Sequence, residues 1–235
     1  MKWNPKIVGS GIIDCIPQTG LCPQTCKDCY FNSPGFYLDK GTELPLIPTM
    51  DQAKGRVVRM NPGHDSHLQK DLVIKTALQY EHFFFNTSFP DLDFPGPVMV
   101  TVNPAAMTDK DYHRLDIKPN LMFVRVRSNL WNLNVIEAVC RYYTPKDVSV
   151  GITWMRYNDW RDIPDEFIRF YEHRKHVLNE YWSIFKQKAW EIVLGLQNKY
   201  PKVYMCGTHY SSLCKDCGHC LREYFATKER MIIAG

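Results

Sequence analysis

The sequence predicts an α/β chain built on parallel strands, and three observations carry that expectation. Short β-branched and aromatic runs recur along the first two thirds of the chain. Several are apolar at nearly every position, the character of strands buried on both faces of a parallel sheet. Between them, apolar residues return at helical spacing, and alternation of the two patterns marks an α/β parallel sheet or barrel.

The strand runs are residues 6–13, 55–60, 82–87, 98–102, 121–126 and 148–154. Helical spacing covers 68–80, through Leu72, Ile74 and Leu78, and 130–143, through Leu133, Ile136, Val139 and Cys140. One connection departs from the scheme. Residues 88–97 carry three prolines and are too short for a crossover helix, so either an irregular loop crosses over or one flanking strand is misassigned. Beyond Pro164, Phe167, Phe170, Tyr171, Leu178, Tyr181, Trp182, Phe185, Ala189, Ile192, Val193 and Leu196 recur at helical intervals. They predict one long helix, or two nearly continuous ones, packed on the strand layer. The expected organisation is a core over residues 1–160, a helical segment over 161–200 and a cysteine-rich tail over 201–235.

Hydrophobic content of 45% with 23% charged residues is ordinary for a globular protein. The segment after Met1 has no secretion-signal apolar region, and no run approaches the roughly 20 apolar residues of a membrane span. A cytoplasmic protein with no membrane partner is expected. The formal charge of +4 would change by several units if the cysteines carried metal, so it points to no class of partner.

Cysteine spacing is more informative. Of nine cysteines, Cys22, Cys26 and Cys29 form a C-x3-C-x2-C run after the first predicted strand, and Cys206, Cys214, Cys217 and Cys220 form a second group. Close spacing in a chain of this length and character favours metal over a disulfide framework. Three thiolates can hold three corners of an iron–sulfur cluster, leaving one iron open to a substrate or cofactor. The second group gives four thiolates, a closed set. Its C-x2-C-x2-C portion with a remote fourth ligand is ferredoxin-like, and the alternative is structural zinc, with His209 or His219 replacing a cysteine or not.

The C-x3-C-x2-C loop after a first strand resembles the signature of the radical S-adenosylmethionine (SAM) superfamily, over residues 6–155. The resemblance implies a partial (β/α)6 barrel followed by a helical segment and a small metal-binding tail. It implies that Cys22, Cys26 and Cys29 ligate a [4Fe–4S] cluster whose open iron binds SAM. Reductive cleavage of SAM would then give a 5′-deoxyadenosyl radical that abstracts hydrogen from the substrate, with electrons from a small donor such as a flavodoxin or ferredoxin. The tail resembles auxiliary-cluster extensions of such enzymes, implying a second [4Fe–4S] cluster.

Two positions depart from the common pattern. Asp28 stands where an aromatic residue usually precedes the third cysteine, with Tyr30 following it. The usual Gly-Gly-Glu segment is replaced by residues 59–66, similar to a Gly-Asp version of that segment. Asn61, Gly63, His64 and Asp65 then fall where the methionyl amino group would be received. A plain turn with Asp65 or Ser66 as helix N-cap accounts for the same residues. Asn103, Arg127, Ser128 and Asn129 lie at predicted strand ends, where the sites of such barrels gather, and complete the expected SAM contacts.

The competing readings are a non-catalytic iron–sulfur electron carrier and a zinc-stabilised module binding nucleic acid or protein. The substrate is open: a peptide, a nucleotide or nucleic-acid base, or a partner enzyme. His173 and His176 are expected on a solvated helix face, Cys140 inside a helix and Cys15 in a loop. Gly9-Ser10-Gly11 is no phosphate loop, and no Gly-x-Ser-x-Gly elbow occurs.

Overall fold

The computed structural model describes residues 2–26, 29, 31, 36–106, 114–175 and 180–234. Strands β1 (Ile12–Cys15), β2 (Val57–Met60), β3 (Phe83–Thr87), β4 (Val98–Val102), β5 (Leu121–Ser128), β6 (Val150–Trp154) and β10 (Val203–Met205) form one sheet. All seven are parallel, in the order β1-β2-β3-β4-β5-β6-β10. The fold is therefore α/β. The six strand runs each overlap one of these strands, and the sheet has a seventh, β10, outside them.

Each successive strand is added on the same side of the one before. Right-handed crossovers in that order place every connection on one face. Helices α1 (Met50–Ala53), α2 (Lys70–Ala77), α3 (Leu133–Tyr143) and α5 (Lys186–Lys199) accordingly share one core with that face. Strand alternation supplies it: Ile13, Val58, Met60, Phe85, Val100, Val124, Val126, Val150 and Ile152 meet Val73, Ala77, Val135, Ile136, Val139, Val193 and Leu196. The β3–β4 connection is the irregular loop, and both flanking strands are real. Asn120 holds the loop from below, its Nδ2 donating to Leu92 O at 2.8 Å.

The opposite face is apolar near the strand N-termini and polar near the C-termini. Its apolar half, Val57, Phe84, Met99 and Phe123, packs under α7 (His219–Ala234) through Tyr224, Leu221 and Cys220. Its polar half carries Asp14, Arg59, Asn86, Thr101, Arg125, Arg127 and Thr153. The expected tail is thus mainly a helix that covers half a sheet face.

The segment after Pro164 corrects the long-helix expectation. Among the described residues of that segment, only α4 (Asp165–Ile168) and α5 are helical. Between them β8 (Tyr171–Lys175) and β9 (Glu180–Ile184) pair antiparallel, and β9 also pairs with β7 (Arg156–Tyr157). The aromatic residues are core, as periodicity suggested, but of a second cluster in which Tyr171, Ile184 and Ala189 meet Leu130, Tyr157 and Ile163. His173 lies on β8 with its ring 5.2 Å from that of Trp182, and His176 lies outside the described residues. Among the described residues no helix is long and apolar enough to cross a membrane.

Candidate metal and cofactor site

The first cysteine group leaves the C-terminal end of β1. An isolated bridge from Ile16 to Leu46 closes the long β1–β2 connection at its base. Cys22, Phe31, Leu38 and Leu46 form a small satellite core there, with Cys29, Phe36 and Leu68 against it. Cys29 N donates to Cys26 O at 3.2 Å, so the last two cysteines share a tight turn. Burial pushes the Cys22 thiol up to about 11; the Gln24 backbone opposes this, while Asp65, Cys29 and Cys26 add to it. Burial also raises Cys26, with Cys29 and Asp65 adding and Arg127 opposing. These electrostatic couplings put Cys22, Cys26, Cys29, Asp65 and Arg127 in one neighbourhood. Tyr30 and Asp28 lie outside the described residues.

The loop after β2 packs directly on this group. Asn61 adopts the left-handed region at φ 54°, which Asn tolerates. Its N–H thereby reaches Cys15 O at 2.8 Å, and its side-chain Nδ2 donates to Ser66 Oγ at 3.3 Å. Gly63 sits so close to the cysteine loop that a Cβ there would lie 2.4 Å from the Phe31 ring and 2.7 Å from Phe36. His64 accepts from Asp65 N through Nδ1 at 3.1 Å, and burial lowers its pKa against the pull of Asp65.

Asp65 is 4% exposed and engaged through both oxygens. Its Oδ1 accepts from Thr87 Oγ1 at 2.8 Å and His67 N at 2.9 Å. Its Oδ2 accepts from both N and Oγ of Ser88 at 2.7 Å. The Ser88 hydroxyl has one hydrogen and also lies 3.0 Å from Gln24 Oε1, so three donors are committed to the carboxylate and the fourth is shared. Asp65 ties the β2 loop to the end of β3. Neither Asp65 nor Ser66 caps α2, whose N-cap residue is Gln69.

The strand-end residues are all buried. Arg127 Nε lies 3.3 Å from Met155 Sδ, and Ser128 Oγ donates to Val126 O at 3.3 Å. Asn103 accepts from Ala105 N at 3.4 Å. Asn129 is 1% exposed, and both its amide atoms lack partners. Two further residues belong to this mouth. Asn86, at the end of β3, has both amide atoms buried without partners, and Gln18 donates to Asp65 O and Leu68 O while its Oε1 has no partner. Asn86 stood visible at a predicted strand end; nothing in the sequence singles out Gln18. Cys15 ends β1 on the helix-covered face, away from both groups, where burial raises its thiol to about 12.

The second cysteine group comes from three consecutive elements. Cys206 follows β10, and its N–H extends the ladder to Ile152 O at 2.7 Å. Cys214 and Cys217 bound α6 (Cys214–Cys217), which Cys214 N ties to Lys6 O at 2.8 Å. Gly218 at φ 62° then reverses the chain into α7, a backbone setting that favours glycine, so that Cys220 faces the sheet.

All four cysteines line one cavity with Arg59, Met99, Phe123, Arg125, Thr153 and His219. Burial pushes Cys220 up to about 12, with Cys206 and Cys214 adding and Arg59 and Arg125 opposing, and burial raises Cys214 as well. For Arg59 burial opposes the charge. Asp14, then Cys214 and Cys220, more than offset it and hold the guanidinium above its ordinary value. His219 is pressed between Phe123 and Tyr204, at ring centroid distances of 4.8 and 4.6 Å. Burial, then Arg222, lowers its pKa to about 4.

Among the described residues no three or more His, Cys, Asp or Glu side chains group so as to hold a metal ion. No family model, curated protein or solved structure matches the chain.

Proposed function

We propose that the chain is a radical SAM enzyme on a seven-stranded partial barrel, with a second iron–sulfur site in its tail. The observation that carries this reading is the position of the Cys22, Cys26 and Cys29 loop. It leaves the C-terminal end of the first strand of a singly wound parallel sheet, the end at which the polar strand residues lie. The winding order supports barrel curvature, because the crossover helices α1, α2, α3 and α5 share one face.

The donor chemistry fits clusters. Each thiolate of a cluster takes its own iron, so the cysteines need to share a cavity wall and need not converge on one point. A tetrahedral zinc site demands that convergence, with every sulfur about 2.3 Å from one ion. The tail cysteines share a wall in this way.

Cys22, Cys26 and Cys29 would hold three irons, and the fourth would supply the electron that cleaves SAM. Around it the chain orients the cofactor. With both Asp65 oxygens engaged, the acceptors without partners at the mouth are the side-chain oxygens of Gln18, Asn61, Asn86 and Asn129, the groups best placed for the methionyl amino group. Arg127, close to Cys26, supplies a cation for the carboxylate. A flavodoxin or ferredoxin would deliver electrons.

The test is anaerobic reconstitution of the full chain, then dithionite and SAM. About eight irons per chain and release of 5′-deoxyadenosine are expected. A Cys26→Ala variant should drop to about four irons and lose the product. If no donor yields 5′-deoxyadenosine and SAM leaves the cluster's EPR signal unchanged, the reading fails.

A further inference from the structure

Among the described residues, a group of buried polar atoms without partners lies outside the cofactor mouth. Arg125 Nε, Thr153 Oγ1 and both ring nitrogens of His219 have no hydrogen-bond partner, and all three residues line the cavity of the tail cysteines. Left unpaired, each such group costs roughly 1–3 kcal/mol. Their arrangement is fixed by the fold. Arg125 is anchored through Nη2 to Thr101 Oγ1 at 3.0 Å, leaving Nε turned from that bond. Thr153 stands across from Arg127 in the β5–β6 register, on the polar half of the face. His219 is 5% exposed, and its ring is clamped by Phe123 and Tyr204.

All three groups can donate. Arg125 Nε carries a hydrogen, Thr153 a hydroxyl, and an imidazole keeps at least one N–H in either protonation state. Opposite them are four thiol sulfurs. Donors gathered beside thiolates call for an anionic guest with several acceptor atoms.

We propose that Arg125 Nε, Thr153 Oγ1 and an N–H of His219 form a donor collar around an anionic iron–sulfur cluster held by Cys206, Cys214, Cys217 and Cys220, and raise its reduction potential. The inference rests on the cluster reading of the tail. One-electron reduction adds a negative charge to the cluster, so each donor stabilises the reduced form more than the oxidised one. His219 is thereby a positioning and tuning residue and contributes no metal bond.

The test is an EPR-monitored redox titration of the reconstituted full chain in a Cys26→Ala background, where the tail set alone reports. His219→Phe and Thr153→Val should each make the reduced form roughly tenfold harder to populate, about 59 mV more negative for one electron. Their iron content should match the background chain. His219→Gln, which keeps an N–H, should restore most of the shift. Should His219→Phe fail to fold, Thr153→Val and His219→Gln still decide the outcome. Unchanged potentials at full iron content would overturn the collar and leave the proposed function standing. A background chain that carries zinc and no iron would overturn the collar and the second cluster together, and metal analysis separates the two cases.

Discussion

Arg59 Nε donates to Asp14 Oδ1 at 2.8 Å, joining β1 to β2 beneath the cysteine cavity. The same carboxylate accepts from Asn4 Nδ2 at 3.0 Å and from Tyr37 OH at 2.9 Å. One buried group thus fastens the N-terminal segment and the β1–β2 connection to the sheet. Removing one member of a buried charge pair typically costs about 3–5 kcal/mol. Asp14→Asn should destabilise the metal-free chain by about that much in urea denaturation. The double variant Asp14→Leu, Arg59→Met should lose less than the two single losses combined. Full additivity would show that the pair does not act as a unit.

Gly63 is the point where the β2 loop meets the cysteine loop. A Cβ at 2.4 Å from Phe31 must move that ring, which sits two residues after Cys29. Gly63→Ala should cost about 1–3 kcal/mol by overpacking. It should also lower the iron held by Cys22, Cys26 and Cys29 while the tail keeps its share. Equal loss at both sites, read from iron analysis beside Cys26→Ala, would contradict the local linkage.

Both oxygens of Asp65 accept hydrogen bonds, from Thr87, His67 and Ser88. Asp65→Asn turns one acceptor into a donor facing Thr87 and His67 or Ser88, leaving buried groups mismatched at about 1–3 kcal/mol. Thermal unfolding should detect that loss. With Asp65 acting by tying the β2 loop to β3, the chain that still folds retains SAM binding in equilibrium dialysis within a few-fold. Abolished binding with unchanged stability would make Asp65 a direct contact.

Burial pushes the Cys140 thiol in α3 up to about 12 from its ordinary 9.0. Above pH 9 the unfolded chain loses this proton while the folded chain keeps it. The associated stability is therefore complete below pH 9 and falls by about 1.4 kcal/mol per pH unit as pH rises toward 12. Cys140→Ala removes this dependence at a pH-independent packing cost of about 1 kcal/mol. Denaturation midpoints of the two chains should therefore cross between pH 9 and 10, with the variant the more stable chain by pH 11. Parallel curves would rule the thiol out as a source of alkaline instability.

The parallel sheet was legible because β2 to β6 are largely buried on both sides, and stretches such as Phe83–Phe85, Val98–Val100 and Leu121–Val124 stay apolar up to the polar strand ends. The first run was less so. Only Ile12 and Ile13 of residues 6–13 are strand, because Gly9 and Gly11 turn the chain at positive φ. The antiparallel pair β8–β9 was hidden by composition. Its strand Tyr171–Lys175 has one buried residue followed by four polar ones, so no alternation could show. Phe167, Tyr171 and Tyr181 fell at helical intervals although they come from three different elements. At the site, the cysteine groups announced themselves by spacing, whereas the engagement of Asp65 depends on Thr87 and Ser88, more than twenty residues away in sequence. Only folding brings them together.

The tail thiols come from the end of β10, from α6 and from the start of α7, so whatever they hold staples a sheet edge to the helix lying across it. Because α7 follows every strand it covers, the nascent chain leaves that sheet face open until this last clasp is made. On the cluster reading, a filled site would add a clasp to the packing that Tyr224, Glu223 and Arg230 already give this helix. Oxidative loss of such a cluster should then appear as sensitivity to protease, with limited digestion cutting first in the region of α6 and α7.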